Sequence, residues 1–184
     1  MHPEAEYIIK KLDLMELVKE GGYYRETYRS NAQILINSSF DERSRDAVYS
    51  FSEFKSGSTD IRSVCTLIYY LLEGDQFSAF HKVKYDEIWH FYKGSSISLY
   101  ILTEDENILK IKIGNDLRNN ECIQYIIRGN TWFAAELNNK SLFSLIGCSV
   151  APGFDFRDFE LGERNELKNI YPQHEFIIDR LTRH

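Results

Sequence analysis

The fold is decided by the stretch Phe77-Ser-Ala-Phe-His-Lys-Val-Lys-Tyr-Asp-Glu-Ile-Trp-His-Phe-Tyr-Lys-Gly94, which is typical of two short β-strands joined by a tight connection. Side chains alternate between the two faces of a strand. One face of each strand therefore carries these residues: Phe77, Ala79, His81 and Val83 on the first, and Glu87, Trp89 and Phe91 on the second. If the two faces meet across an interior, His81 and Glu87 are the only ionisable groups among apolar neighbours. Two such groups converging in an apolar hollow indicate a binding site.

The composition indicates a packed globular protein. A chain of 184 residues suits one domain with a sizeable core, and we expect a single domain over residues 1–184. Hydrophobic residues make up 43% of the sequence and aromatic residues 14%, which excludes a disordered chain. The net charge of −6 argues against nucleic acid or an anionic membrane as the main partner, because both bind basic protein surfaces.

Cysteine usage and the absence of targeting segments predict a cytoplasmic location. No apolar run is long enough to span a membrane, and no charged-then-apolar leader begins the sequence. Cys65, Cys122 and Cys148 lie far apart without the C-x-x-C spacing of a metal or redox site. We interpret them as reduced, small buried residues.

The remaining sequence predicts an all-β region between helical ends. We expect a helix over residues 3–14, where apolar residues recur at helical spacing, and a helical tail over 158–183 that is split at Tyr171-Pro172. Short β runs are predicted at 23–30, 62–72, 96–102, 108–113, 122–127, 131–135 and 142–150, with the β region ending at 151–154. Such strands without intervening helices favour an antiparallel sandwich or barrel.

Two details of this assignment bear on the site. The 23–30 strand is expected to place Arg25 and Arg29 on one face and Glu26 and Tyr28 on the other. The largely polar residues 37–59 predict a long loop or lid.

These residues resemble the cupin superfamily, whose fold is a double-stranded β-helix, one of the jelly rolls. The superfamily's first motif is similar to G-(several)-H-x-H-(three or four)-E-(six)-G. The residues that match it are Gly74, His81, Glu87 and Gly94, while Val83 replaces the second histidine. The second motif is similar to P-x-G-x-x-H, where Ile127 and Trp132 replace the proline and the histidine around Gly129.

The chain also resembles one small, single-domain branch, the fifth cupin group, whose members are of uncharacterised function and sugar-epimerase-like in shape. The stretches that carry the resemblance are 20–30, 78–81, 86–92 and 150–156, and Val18-Lys19 replaces a His-Pro pair. The resemblance implies a jelly-roll core at about residues 20–156, an N-terminal helix, a helical tail and a homodimer. Outward apolar positions such as Phe80, Ile88 and Tyr92 suggest that helices or a twin subunit cover one sheet face.

The incomplete motifs predict a site without a metal or other cofactor. A metal centre needs about three protein ligands, and the two motifs leave only His81 and Glu87. Strand alternation places His90 on the face opposite Glu87. A metal-dependent dioxygenase or isomerase would need ligands that the sequence does not offer.

His81 and Glu87 are therefore the candidate catalytic residues. An imidazole near a carboxylate can be tuned toward neutral pH and can move a proton on a bound sugar or keto compound, with a tyrosine completing the set. Two alternatives remain open: a non-catalytic ligand-binding or sensor module, and a purely structural hydrogen-bonded pair. Whether the protein is an enzyme is undecided at this level.

Substrate-binding candidates surround this pair. Trp89, Phe91 and Trp132 would form an aromatic wall, which suits a sugar ring or a nucleobase, and Tyr70 would add a polar-tipped surface. Arg29 is a candidate for an anionic group such as phosphate, although pairing with Glu26 at the surface competes with this role. The expected partner is a small molecule of carbohydrate-like or nucleotide-sugar-like chemistry.

Overall fold

The computed structural model describes residues 1–36 and 61–183, so the predicted loop at 37–59 lies outside the described residues. The strands are β1 Met15–Glu16, β2 Tyr23–Arg29, β3 Gln33–Leu35, β4 Ile61–Ser63, β5 Thr66–Glu73, β6 Phe77–Val83, β7 Glu87–Gly94, β8 Ile97–Leu102, β9 Ile108–Ile113, β10 Gln124–Ile127, β11 Phe133–Leu137, β12 Phe143–Val150 and β13 Phe159–Leu161. The helices are α1 Pro3–Leu12, α2 Arg164–Ile170 and α3 Glu175–Arg180, with single 3₁₀ turns at Leu117–Asn119, Phe156–Asp158 and Pro172–His174.

Two antiparallel sheets face each other and enclose the core. One has six strands in the order β1-β2-β5-β12-β7-β10, and the other has five in the order β13-β6-β11-β8-β9. The buried cluster between them takes residues from both sheets, with Trp89 from the first and Leu99 and Phe133 from the second. The predicted all-β jelly roll with helices at its two ends is confirmed.

The β6–β7 pair crosses from one sheet to the other and does not form a hairpin, because β6 belongs to the five-stranded sheet and β7 to the six-stranded sheet. Asp86 fixes the corner between them by accepting hydrogen bonds from Gly129 N at 2.9 Å and from Arg128 Nη1 at 2.7 Å. The inward faces of the two strands consequently meet across the interior.

A β-bulge changes which side chains of β2 face inward. Glu26 is paired with Ile68 and Arg29 with Thr66, with a register shift between Glu26 and Tyr28. The extra residue places Arg29 on the face of Glu26 instead of that of Arg25. The prediction that Arg25 and Arg29 share a face is wrong for this reason.

A second bulge lies in β6. Phe133 is paired with His81 but Ala135 with Ser78, so two residues of β6, Ala79 and Phe80, lie opposite the single residue Ala134 of β11. Ser78 therefore faces inward together with His81, and Phe77 turns to the outer face, where it packs against the cluster around Phe80. The expected shared face of Phe77 and His81 is wrong.

The outer faces are partly covered by the helices. Leu167 of α2, Ile178 of α3 and Leu181 cover Phe80 on the five-stranded sheet, and α1 packs Ala5 and Ile8 against Leu71 and Phe143 of the other. Tyr92 on the six-stranded sheet stays 52% exposed. Among the described residues, no helix is long and apolar enough to cross a membrane.

The ends of the β region differ from the prediction. The 62–72 run is interrupted at Val64-Cys65 and gives β4 and β5, although β5 is central as expected, between β2 and β12. After residue 154 the chain adds β13, which pairs with β6 through Leu161 and His81. The split of the helical tail at Tyr171-Pro172 is confirmed by the 3₁₀ turn between α2 and α3.

Candidate functional site

A cavity of about 1210 Å³ opens between the two sheets and receives the side chains of both His81 and Glu87. Its apolar wall includes Leu17, Ile68, Val83, Val150, Phe154 and Phe159, and its inner polar groups are Glu20, Tyr70, His81, Glu87, Trp89 and Cys148. Its charged rim includes Asp13, Arg25, Glu26, Arg29 and Asp155. The hollow that alternation predicts is therefore present, with both ionisable groups inside it.

His81 is held with one ring nitrogen bonded and the other directed at the cavity. The residue is only 2% exposed, and its ring packs against Phe133 at 4.1 Å and against Phe159 at 5.3 Å between centroids. Nδ1 lies 2.7 Å from the carbonyl oxygen of Ala79. Because a carbonyl can only accept, Nδ1 carries the proton in the neutral ring, and Nε2 is left as an acceptor.

Glu87 is an 8% exposed carboxylate at the start of β7. Its Oε1 accepts a 2.9 Å hydrogen bond from Trp89 Nε1, two residues further along the same face. Burial raises the pKa of Glu87 above the usual value, while the neighbouring His81 and the hydrogen bonds from Trp89 and Cys148 act in the opposite direction. The carboxylate is thus held in place by its own strand and by β12.

Glu20 is a third ionisable group of the cavity, which the sequence reasoning missed. Its Oε2 lies 3.9 Å from His81 Nε2, and its Oε1 accepts a 2.7 Å hydrogen bond from Ser78 Oγ. Its carbonyl oxygen also accepts from Ala79 N at 2.9 Å, which ties this segment to β6. Glu20 is thereby fixed beside the acceptor nitrogen of His81.

The glycines that follow allow this close approach. Gly21 has φ +115°, and an added Cβ there would lie 2.2 Å from the carbonyl oxygen of Phe77. Gly22 has φ +77°. Only glycine takes up such angles readily. The Glu-Gly-Gly sequence was the available signal for Glu20, but its long-range contact with β6 is not visible in the sequence.

Tyr70 and Cys148 complete the inner wall as neutral groups. The Tyr70 hydroxyl donates to the carbonyl oxygen of Gly21 at 2.8 Å, and burial raises its pKa well above the usual value, so the phenol stays protonated. Burial likewise raises the pKa of the Cys148 thiol, and the nearby carboxylates of Glu87 and Glu20 add to the effect. Cys148 is buried as predicted, but it faces the site, whereas Cys65 and Cys122 are only partly buried, contrary to the prediction.

Two predicted wall residues do not line the cavity. Phe91 faces inward but belongs to the packed apolar cluster with Leu99. Trp132 precedes the inward-facing Phe133, so alternation turns it to the outer side, where Lys82 Nζ lies 4.5 Å from its ring centroid. Trp89 is therefore the one residue of the predicted aromatic wall that lines the cavity.

Arg29 lies at the mouth and is already paired. It donates from Nε and Nη2 to the two carboxylate oxygens of Glu26 at 2.9 and 2.6 Å, and from Nη1 to the carbonyl oxygen of Phe154 at 3.1 Å. The bulge in β2 brings it there. The competing interpretation, a pair with Glu26, is the arrangement observed.

The inner donors do not fit a cupin metal. In residues 1–36 and 61–183, no group of three or more His, Cys, Asp or Glu side chains is placed to hold an ion. Val83 brings an alkyl group to the cavity where the motif has its second histidine, and Trp132 lies outside. His90 points away from Glu87, with its Nε2 3.0 Å from Ser149 Oγ. The described residues therefore do not assemble the ligand set of a metal-binding cupin.

A closed pair of antiparallel sheets, with a histidine and a glutamate projecting inward from the β6–β7 crossover, defines a cupin-type jelly roll. The chain belongs to the cupin superfamily: the family described as Cupin superfamily (DUF985) matches residues 6–162. This family is the fifth cupin group, which the sequence motifs predicted.

Three proteins with similar sequences, two of them with solved structures of the same fold, have names that state no activity. The uncharacterized protein YML079W of Saccharomyces cerevisiae is 32% identical over 160 residues, which cover 83% of this chain and 73% of that protein. The crystal structure of protein SO0799 from Shewanella oneidensis is 33% identical and superposes with a TM-score of 0.78 over 97% of both chains. A hypothetical protein from Leishmania major is 27% identical, with a TM-score of 0.79 over 98% of this chain and 99% of that one.

Proposed function

We propose that the cavity is a metal-independent small-molecule site that binds a carbohydrate-like ligand, with His81 as its anchor or base. One observation carries the proposal: the Nε2 atom of a buried histidine faces the cavity and makes no hydrogen bond to any described residue. An acceptor atom that faces an apolar cavity and is not bonded to the surrounding side chains is a natural contact for a ligand that donates a hydrogen bond.

The surroundings of His81 suit proton transfer. A proton taken by Nε2 produces an imidazolium ion, and the Glu20 carboxylate 3.9 Å away stabilises that charge. Glu87 interacts electrostatically with the same ring. The exchange of a proton with a hydroxyl or an activated carbon of a sugar-like ligand is the reaction that such a group supports.

The size and walls of the cavity suit a sugar. Ligand pockets commonly measure roughly 300–1,000 Å³, and the 1210 Å³ available here accommodates a monosaccharide or a larger glycoside. The indole of Trp89 and the rings of Phe154 and Phe159 offer apolar faces to the C–H side of a sugar ring.

The second candidate is binding without turnover, as in a sensor module. It is favoured by the Tyr70 hydroxyl, which donates to the carbonyl oxygen of Gly21 and is therefore not free to act as a second acid–base group. The homodimer and the cytoplasmic location stay predictions.

The two tryptophans provide a direct test, because Trp89 lines the cavity and Trp132 lies outside it. Sugars and keto sugars are titrated into Trp132→Phe, which leaves Trp89 as the sole tryptophan for selective excitation, and into Trp89→Phe as the matched control. We expect emission changes in Trp132→Phe alone and their loss on adding His81→Gln. If a ligand is also converted, His81→Gln separates the two roles. A variant that keeps the affinity for the ligand but loses turnover supports a catalytic role for His81. If no carbohydrate perturbs Trp89, the proposal fails.

A further inference from the structure

The inner cavity has an excess of negative charge. The Glu20 side chain is 13% exposed, and Glu87 as a whole residue is 8% exposed. His81 is the one basic side chain among the described residues that line the inner cavity beside these carboxylates. Arg183, which does not line this cavity, donates from Nη2 to the backbone carbonyl oxygen of Glu20 at 3.1 Å. A neutral imidazole leaves both negative charges uncompensated, and an imidazolium compensates one. Buried charge without a counter-charge is costly, so the hollow favours a cationic ligand over an anionic one.

The arginines of the rim do not change this balance. Arg25 Nη1 lies 3.1 Å from Asp13 Oδ2, and Arg29 is bidentate on Glu26. Asp155, a further rim carboxylate, is held by Arg157 at 2.8 Å. Lys19 lines the mouth as an exposed side chain. Among the described residues, neither rim arginine is therefore available, without breaking a pair, for a phosphate that reaches into the cavity.

The two facing atoms at the centre are both acceptors. Nε2 of His81 carries a lone pair in the neutral ring, because Nδ1 donates to Ala79, and Oε2 of Glu20 lies 3.9 Å from it. That separation is too long for a direct hydrogen bond. A ligand atom that donates to both must carry at least two hydrogens. A hydroxyl carries one, whereas a protonated primary amine carries three and a positive charge.

We propose that the ligand presents a protonated primary amine to Glu20 and His81, with its carbon skeleton against Trp89 and Phe159. This inference rests on the proposed function for the sugar-like skeleton, and together they identify the ligand class as an amino sugar. It also narrows the role of His81 to a hydrogen-bond acceptor in the bound state. The aromatic walls contribute, because aromatic faces attract cations.

The test uses sugars of the same ring configuration and different charge, titrated into Trp132→Phe. Each of the glucose, galactose and mannose rings is supplied as the 2-amino sugar, the neutral sugar and the uronate, at a pH where the amine is protonated. At least one amino sugar should bind about tenfold more tightly than its neutral parent, as expected for a charge-assisted hydrogen bond. The uronates should bind more weakly than the neutral sugars.

Charge-removing variants locate the effect. Glu20→Gln in the same background should reduce the preference for the amine to less than about threefold, since only the charge-assisted contact is lost. Glu160→Gln, which removes an exposed carboxylate outside the cavity, should leave the preference unchanged. If Glu20→Gln does not fold, Glu87→Gln tests the same charge argument and should also lower the preference.

Three outcomes would overturn the inference: equal affinity for amino and neutral sugars, tighter binding of a uronate, or no response to any amine. Binding of neutral sugars without a preference for the amine would leave the proposed function standing. Failure of all carbohydrates, neutral ones included, would remove the proposed function as well.

Discussion

Trp89 donates its indole N–H to the carboxylate of Glu87, two residues earlier on the same inward face of β7, at 2.9 Å. The bond joins the cavity's acidic group to its aromatic wall within a single strand. Because both side chains are buried, the carboxylate keeps one orientation, and no cationic side chain of residues 1–36 or 61–183 is hydrogen-bonded to it. The cavity therefore presents a fixed, desolvated acid.

Glu87→Gln should stabilise the protein at neutral pH. Burial raises the folded-state pKa of Glu87 above its ordinary value of 4.5, so the folded state disfavours the charged form. Below pH 4.5 the side chain is protonated in both folded and unfolded states and contributes no penalty. As pH rises through the raised pKa, the wild type loses stability that the neutral amide retains.

Urea unfolding of both proteins across this pH range measures the difference. The increase in the free energy of unfolding caused by Glu87→Gln should be largest above the raised pKa of Glu87 and should vanish toward pH 4. A gain that is independent of pH, or a loss of stability at neutral pH, contradicts the desolvation argument.

Asp158→Asn should destabilise the protein strongly. Asp158 accepts from Arg62 Nε at 2.6 Å and from Arg62 Nη2 at 2.9 Å, and both side chains are at most 4% exposed. Removing the charge of one partner in a buried ion pair lowers the free energy of unfolding by about 3–5 kcal/mol. Glu160→Gln, which breaks the exposed pair with Lys82, should cost less than about 1 kcal/mol in the same denaturation assay. Equal losses of stability in Asp158→Asn and Glu160→Gln would contradict the difference expected between a buried and an exposed ion pair.

Gly22→Ala should cost more than Gly74→Ala, although both glycines have positive φ. A Cβ at Gly22 would lie 2.7 Å from the carbonyl oxygen of Leu71, whereas one at Gly74 meets nothing within 4 Å. Backbone strain alone amounts to about 1–2 kcal/mol, and only Gly22 adds a steric clash. Thermal unfolding of the two variants separates the effects. A larger decrease in Tm for Gly74→Ala would contradict the close contact of Gly22 with Leu71.

The Cys148 thiol should react slowly in the folded protein. It is buried and its raised pKa keeps it protonated, whereas Cys65 and Cys122 are partly exposed. Titration with a thiol reagent should give a slow phase that is absent in Cys148→Ala. A fast reaction at Cys148 would mean that reagent and solvent reach the inner wall freely.

Strand alternation was sufficient to place His81 and Glu87, because no bulge interrupts residues 81–83 or 87–91. It failed for Arg29 and Phe77, where an extra residue in β2 and in β6 reverses the facing. Bulges depend on the partner strand, so a single strand's sequence does not reveal them.

Glu20 and β13 were missed for a related reason. Glu20 reaches the site through contacts with Ser78 and Ala79, which are distant in sequence. The strand β13 is three residues long and lies at a sheet edge, so its pairing with β6 leaves little periodic signal. Trp132 was predicted to line the cavity because it stands at the motif's histidine position. Its neighbour Phe133 takes the inward face instead, so Trp132 faces outward.

Whether Nε2 of His81 is a free acceptor in the cavity is decided by which nitrogen of the ring carries the proton. In ¹⁵N-labelled protein, with the signals assigned by comparison with His81→Gln, the imidazole nitrogen shifts distinguish the two neutral tautomers. We expect a protonated Nδ1 bonded to the carbonyl oxygen of Ala79 and an unprotonated Nε2 whose ¹⁵N shift changes when a ligand binds. A neutral ring protonated at Nε2, or an Nε2 signal that no ligand perturbs, would contradict this expectation.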